Sequence, residues 1–370
     1  MDLAFVLYRY FPFGGLQRNM LAIAKQAQQR GHSITIYCTS WEGDKEAHLE
    51  VKLIPRRGWS NAARMTNFAD DLSDILKSRK FDLVVGFNKW PGLDIYYAAD
   101  SCFAYKAYRE RGFWYRLSPR AKSYLAFEEA VFGANSNTAI LEVSTQERAR
   151  FIEFYQTPVE RFHTLPPGIS RDRAAPENWA EIRATTRQAL GITDKQKVLL
   201  AVGSGFRTKG LDRSIAVLKL LKAYDLHLFV IGDDKSQAFI KLAQQNNVRD
   251  SVTFLGGRSD LPALLQAGDV LVHPAHKENT GNVLLEAMIA GLPVVTSDVC
   301  GYAHYVTDAA MGEVIKSPFE QAAFAAAIER VLADDARAWH SVGRTFAEQS
   351  DIYHRPQVAV DVIENRMSAS

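Results

Sequence analysis

The chain has 370 residues, too many for one ordinary hydrophobic core, and so predicts two domains. Its 47% hydrophobic and 23% charged residues are the mix of a soluble globular enzyme. A net charge of +2 excludes the strongly basic surface that nucleic-acid binding needs. Three scattered cysteines, Cys38, Cys102 and Cys300, give neither a disulfide framework nor zinc spacing. The opening Met1-Asp2-Leu3-Ala4-Phe5 has no basic start of a secretory signal, and no apolar run reaches the roughly 20 residues that span a bilayer. The expected place is the cytoplasm, with any membrane association peripheral.

Short β-rich runs alternate with longer amphipathic stretches. The first half offers strands at Leu3–Leu7, Ser33–Cys38, Leu83–Gly86, Ile95–Ala99 and Ala139–Val143, with helices at Leu16–Arg30 and Asn61–Ser78. The second offers strands at Val198–Val202, Leu226–Ile231, Val252–Leu255, Val270–His273 and Val294–Thr296. Helices are expected there at Asp212–Lys222, Gln237–Asn246, Leu261–Ala267 and Val283–Ala290. Near-continuous Val, Ile and Leu runs suit parallel strands covered on both faces, and the alternation predicts an α/β architecture. The series starts twice. Pro166-Pro167-Gly168 can continue neither element, so it marks the break. The expected domains are 1–165 and 166–346. A tail helix over about 347–370 could dock on either half, and packing back on the first is the reading adopted.

The densest polar cluster is His273-Pro274-Ala275-His276-Lys277-Glu278-Asn279-Thr280-Gly281-Asn282-Val283-Leu284-Leu285-Glu286. A strand ends at His273, and cap-type residues then open a helix whose first turn offers N–H groups and positive dipole, a ready anion site. Glu278 lies before the helix and Glu286 about one turn inside. Two carboxylates would repel a phosphate they touched, but they could bind hydroxyls on either side of it. An ordinary βα turn with a dipole-favoured acid fits the same residues.

Glu278-x7-Glu286 followed by Ala287, Ala290-Gly291 and Pro293-Val294-Val295 resembles the retaining GT-B glycosyltransferases of family 4. Tyr8–Arg18 with Gly14-Gly15, Trp41-Glu42-Gly43, Gly86-Phe87-Asn88-Lys89, Leu165-Pro166-Pro167-Gly168 and Cys300-Gly301-Tyr302-Ala303-His304 look like its lipopolysaccharide core glucosyltransferases. The resemblance covers nearly the whole chain. It implies two Rossmann-like parallel-sheet domains facing across a cleft, the first binding the acceptor and the second the donor. It further implies a UDP-glucose donor as co-substrate with no cofactor, and a heptose-bearing lipid A-core acceptor. By the same analogy Glu286 binds the ribose hydroxyls and Glu278 a donor-sugar hydroxyl. Asn279, Thr280, Gly281, Asn282 and Val283 border the diphosphate and sugar, and Gly14 and Gly15 face the diphosphate.

The leaving diphosphate needs fixed cations, which favour the transition state over the ground state. Lys209, after the strand Val198–Val202, and Arg173, just past the break, are the candidates; a solvated loop lysine and a surface arginine are the plainer readings. Arg258 is counted with the donor-binding residues. Asn19 stands where relatives carry Asp, and it cannot act as a base. Asp100, at a strand end, is then the candidate carboxylate near the acceptor hydroxyl, or else a turn cap. His304 could reach a substrate but more often such a histidine is structural. No Asp-x-Asp occurs, so no metal is expected.

Phe103–Phe132 interleaves Lys106, Arg109, Arg111, Arg116, Arg120 and Lys122 with nine aromatic residues. Such a stretch suits an anionic membrane surface, and the resemblance points to the cytoplasmic face of the inner membrane; core aromatics under a solvated charged face are the alternative. Gly112 and Pro119 divide it, predicting two helices. A nicotinamide oxidoreductase would need Gly-x-Gly-x-x-Gly, which neither Gly14-Gly15 nor Gly203-x-Gly205 completes, and a P-loop is absent because Lys209-Gly210 reverses its order. A non-catalytic sugar- or membrane-binding scaffold is the competing class.

Overall fold

A computed structural model describes residues 1–12, 14–45, 49–193 and 195–368. The chain divides into two compact units, Met1–Gly168 joined by Ile352–Ser370, and Ile169–Asp351.

The first unit runs β1 (Asp2–Val6), α1 (Gly15–Gln29), β2 (Ser33–Cys38), β3 (Glu50–Leu53), α2 (Asn61–Ser78), β4 (Leu83–Gly86), β5 (Ile95–Ala98), α3 (Phe103–Tyr105), α4 (Phe113–Arg116), α5 (Pro119–Phe132), β6 (Ala139–Glu142), α6 (Arg148–Tyr155) and β7 (Phe162–Thr164). The second continues with α7 (Trp179–Ala189), β8 (Lys197–Val202), α8 (Leu211–Leu218), β9 (Leu226–Ile231), α9 (Gln237–Gln245), β10 (Val252–Gly256), α10 (Leu261–Ala267), β11 (Val270–His273), α11 (Asn282–Ile289), β12 (Val294–Ser297), α12 (Ala303–Asp308), β13 (Gly312–Ile315), α13 (Gln321–Ala333) and α14 (Ala336–Gln349). A last helix, α15 (Arg355–Ser368), returns to the first unit with Pro356 in its opening turn, where a missing N–H costs nothing.

Both sheets are parallel, with orders β3-β2-β1-β4-β5-β6-β7 and β10-β9-β8-β11-β12-β13. The order reverses direction beside β1 and again beside β8. In such sheets ligands bind at the carboxyl ends of the strands at that reversal. The strands flanking it are fully buried: β4 is apolar throughout, and β11 is apolar up to its last residue, the buried His273. Leu3, Phe5, Ile23, Leu141 and Val360 close one face of the first sheet, and Leu199, Leu228, Val230, Phe324 and Ile328 fill the second unit.

Three strands escaped the sequence reading: β3, β7 and β13. All are sheet edges, short and only partly apolar, so they lack the buried run that betrays an interior strand. The region 103–132 holds four pieces instead of two helices: α3, a π-helical turn over Lys106–Glu110, α4 and α5. Glu128, within this charged stretch, is completely buried. It accepts from the backbone N–H groups of Phe103 (2.9 Å) and Ala104 (2.7 Å) and from Tyr155 Oη (2.8 Å), and it pairs with Lys89. Among the described residues no helix is long and apolar enough to cross a membrane.

Candidate active site

The loops after β8 and β11 lie side by side because those strands are neighbours. Thr208 O, on the first loop, accepts from the N–H groups of His276 (2.8 Å) and Lys277 (3.2 Å) on the second. Gly210 has φ +74° and lies so close to the second loop that a Cβ there would collide with the Pro274 carbonyl. Arg213 of α8 donates to Pro274 O (3.1 Å) and Ala275 O (2.9 Å), Ser297 Oγ to Ala275 O (2.8 Å), and Tyr302 N to Thr280 O (2.8 Å). The segment 274–281 is thereby tied down at both ends.

This apposition brings Lys209 onto Glu278: the ammonium pairs with Oε2. His273 Nε2 lies 3.3 Å from the same oxygen, and the Asn279 N–H donates to Oε1 at 3.1 Å. Burial pushes the Glu278 carboxyl up. The His273 hydrogen bond and the Lys209 charge more than offset this and hold it down at about 2, an ionised carboxylate.

Helix α11 starts four residues on, with Gly281 in the left-handed region at φ +89° as its amino-terminal cap. Asn282, at its first position, has a buried Oδ1 with no hydrogen-bond partner, and Glu286 is buried one turn in. Arg173 lies in a short 3-10 turn, Arg171–Arg173, which packs on α11; Ala175 N just beyond donates to Ile289 O (2.9 Å). Its Nε and Nη1 are buried without hydrogen-bond partners, and the nearest carboxylate oxygen, of Asp172, is 3.7 Å away. Arg258 differs: it is exposed and grips Asp260 with two bonds of 2.8 and 2.6 Å. Among the described residues no hydrogen bond or ion pair links it to Glu278.

In the first unit, Gly14 caps α1 and Gly15 opens it, exposed at the carboxyl end of β1. Asp100, exposed past the end of β5, acts electrostatically on Lys89 and Tyr96. Asn19 Oδ1 accepts from the buried Arg355 of α15 (3.4 Å), whose guanidinium also reaches Tyr97 Oη (3.2 Å) and Pro166 O (2.9 Å). His304 is exposed on α12, its Nδ1 3.1 Å from Gly301 O. An open groove of about 870 Å³ lined by Asp2, Lys25, His32, Glu50 and Arg79 lies at the amino ends of β1–β3, the opposite edge of the first sheet from Gly14, Gly15 and Asp100. Among the described residues no group of three or more His, Cys, Asp or Glu is placed to hold a metal ion.

The sequence reading placed no role on His273, Thr208 or Arg213. His273 left a trace: it is the polar end of an otherwise apolar strand, Val270-Leu271-Val272-His273. Thr208 acts through its carbonyl, which no side-chain motif encodes.

Two parallel α/β units of this strand order, the second carrying a lysine–glutamate pair beside a helix start, are the halves of a GT-B glycosyltransferase. Residues 13–173 match the family described as Glycosyltransferase Family 4, and residues 182–345 match Glycosyl transferases group 1. The lipopolysaccharide glucosyltransferase WaaG of Escherichia coli K12 is 44% identical over 368 residues, 98% of each chain. The crystal structure of WaaG superposes with a TM-score of 0.92 at 44% identity, covering 98% of this chain and 99% of that one. HepE of Anabaena in complex with UDP-glucose shares the fold, with a TM-score of 0.75 at 17% identity over 99% of this chain and 100% of that one. The chain belongs to glycosyltransferase family 4 and is an enzyme of that kind.

Proposed function

We propose that this glycosyltransferase moves glucose from UDP-glucose to a heptose of the lipopolysaccharide inner core, with retention and without a metal ion. The observation that carries the reading is the Lys209–Glu278 pair at the amino end of α11, in a chain 44% identical to a lipopolysaccharide glucosyltransferase. The donor diphosphate lies against the start of α11, bordered by Asn279, Thr280, Gly281, Asn282 and Val283. Glu286 takes the ribose hydroxyls and Glu278 a hexose hydroxyl. Arg173 offers the two buried nitrogens that lack partners to the diphosphate oxygens. Lys209 leaves Glu278 for the same oxygens, because a diphosphate is the stronger pull on a mobile ammonium. Gly14 and Gly15, at the start of α1, leave backbone open to close approach by a diphosphate. Arg258, held by Asp260, is the weakest of the assigned contacts.

As the bond from the anomeric carbon to the β-phosphate oxygen breaks, charge builds on UDP. The acceptor oxygen attacks from the face that UDP leaves, and its proton passes to the departing phosphate. Asn19, a neutral acceptor facing Arg355, takes no proton in this scheme, and Asp100 orients the acceptor hydroxyl. Fixed cations at the leaving group contribute most where charge develops.

A lipid-linked acceptor makes surface docking useful. In the region 103–132, Tyr108, Phe113, Trp114 and Leu117 are exposed, Trp114 by 81%, amid exposed Arg111, Arg120 and Lys122. Arg116 lies over the Tyr108 ring at 4.9 Å and the Phe113 ring at 5.2 Å. Phe127 and Phe132 are core. Exposed aromatic rings interleaved with cations suit the anionic cytoplasmic face of a membrane.

The test incubates the protein with UDP-glucose, UDP-galactose and UDP-N-acetylglucosamine, each with heptose-terminated lipopolysaccharide, with and without a chelator, and reads product mass. One hexose added from UDP-glucose alone, chelator or not, is expected. No UDP release with any donor would leave the scaffold reading standing.

A further inference from the structure

Glu278 has two partners on one oxygen, and they are built differently. Lys209 arrives on a loop; its side chain is 28% exposed and its ammonium ends a flexible stem. His273 closes an interior strand, with a side chain only 2% exposed. Its backbone is fixed by pairing opposite Thr296 of β12 and by Thr296 Oγ1, which donates to its carbonyl at 2.9 Å. The lysine can swing and the imidazole cannot. A diphosphate arriving at α11 competes for Lys209. Without it, Glu278 is a carboxylate 10% exposed whose cation has gone, the condition in which a buried acid takes up a proton and turns.

We propose that His273 is a positioning residue: its Nε2–H holds Glu278 Oε2 in place and ionised while Lys209 passes to the diphosphate, so that Glu278 still accepts from a donor-sugar hydroxyl. This rests on the donor-site reading of Glu278 given above. The titratable and charged groups that face Glu278 are Lys209 from the loop after β8, His273 from β11, and Cys300 from the loop after β12, with Lys277 beside it in sequence. Burial, reinforced by Glu278 itself, pushes the Cys300 thiol up to about 11, so it carries no charge near neutrality. Asn279 N–H holds the other oxygen, Oε1; among the described residues His273 is thus the side-chain partner of Oε2 that stays with Glu278 in both positions of the lysine.

Three variants separate this role from simple packing. His273→Gln carries an amide N–H to about the reach of Nε2, His273→Asn stops short of it, and His273→Leu has no donor. Two readouts apply: the Glu278 carboxyl titration by ¹³C NMR, assigned with Glu278→Gln, without and with UDP; and kcat and KM for UDP-glucose from pH 5 to 9. In His273→Leu and His273→Asn, KM for UDP-glucose rises about 10- to 100-fold near pH 6, the scale of losing a hydrogen bond to a charged group, and recovers as pH is raised. The carboxyl titration moves up in both, further with UDP present, and His273→Gln restores most of the wild-type behaviour. Equal losses in His273→Gln and His273→Asn at every pH, or an unmoved carboxyl titration, would overturn the proposal. If His273→Leu does not fold, the Gln–Asn pair decides. If wild-type protein releases no UDP from UDP-glucose, the function fails, and the titration with UDP still decides the role of His273.

Discussion

Arg173 keeps two guanidinium nitrogens out of water without a hydrogen-bond partner, which costs about 1–3 kcal/mol per orphaned group. A group held at such a cost in the unliganded protein is expected to stabilise something that binds. Arg173→Ala should therefore leave the melting temperature unchanged or raise it, while KM for UDP-glucose rises at least about tenfold, the value of one charge-assisted bond. A fall in melting temperature with unchanged KM would make Arg173 structural. Glu278 gives the opposite signature. Its carboxyl lies at about 2 against an ordinary 4.5. A depressed carboxyl stabilises the fold fully above its unfolded value, and the contribution is lost as pH falls through the folded one. The stability gap between wild type and Glu278→Gln should be widest above pH 5 and shrink between about pH 4.5 and 2, read by urea unfolding.

The loop pair after β8 and β11 works as one element, and Gly210 is its hinge pin. Gly210→Ala must relieve both a positive φ and a clash with the Pro274 carbonyl. It is expected to cost more than about 1 kcal/mol and to separate Lys209 from Glu278, lowering turnover with little change in acceptor affinity. The region 103–132 has its own prediction: Phe113→Ser with Trp114→Ser should weaken binding to anionic liposomes while leaving unfolding free energy nearly unchanged, since both rings are mostly exposed. Liposome binding that survives both changes would move the membrane contact elsewhere. What the sequence made visible follows the same division. Interior strands such as Leu83–Gly86 and Val270–His273 were legible because their runs are apolar, save the terminal His273, and buried on both faces. Edge strands such as Glu50–Leu53 were not, since a half-solvated strand reads like a loop. In the site, Lys209 and Glu278 were visible as charged residues in polar loops at strand ends. His273 and Arg213 act through fold-dependent contacts that no side-chain motif encodes.

At the scale of the molecule, both units follow one strand order, and the second adds the paired loops after β8 and β11. The chain leaves the first unit after Gly168 and re-enters it at Ile352. Helix α15 packs on α1, buries Ala359, Val360 and Ile363 in the first core, and is held at its rim by Arg30, which reaches Asp361 at 2.6 Å and Glu364 at 2.8 Å, and by His32 at 2.8 Å from Glu364. Stopping the chain after Asp351 strips these contacts. Calorimetry should then show the first unit melting at a clearly lower temperature and the second unchanged; a single unaltered transition would deny α15 any part in the first core.

That return helix also sets the order of events at the ribosome. The amino-terminal unit is translated first, yet α15 and the three core side chains it carries emerge only after every residue of the second unit has been made. The usual sequence of amino-terminal unit before carboxyl-terminal unit is therefore reversed in completion, and the nascent first unit waits with an apolar gap beside α1 until α15 arrives.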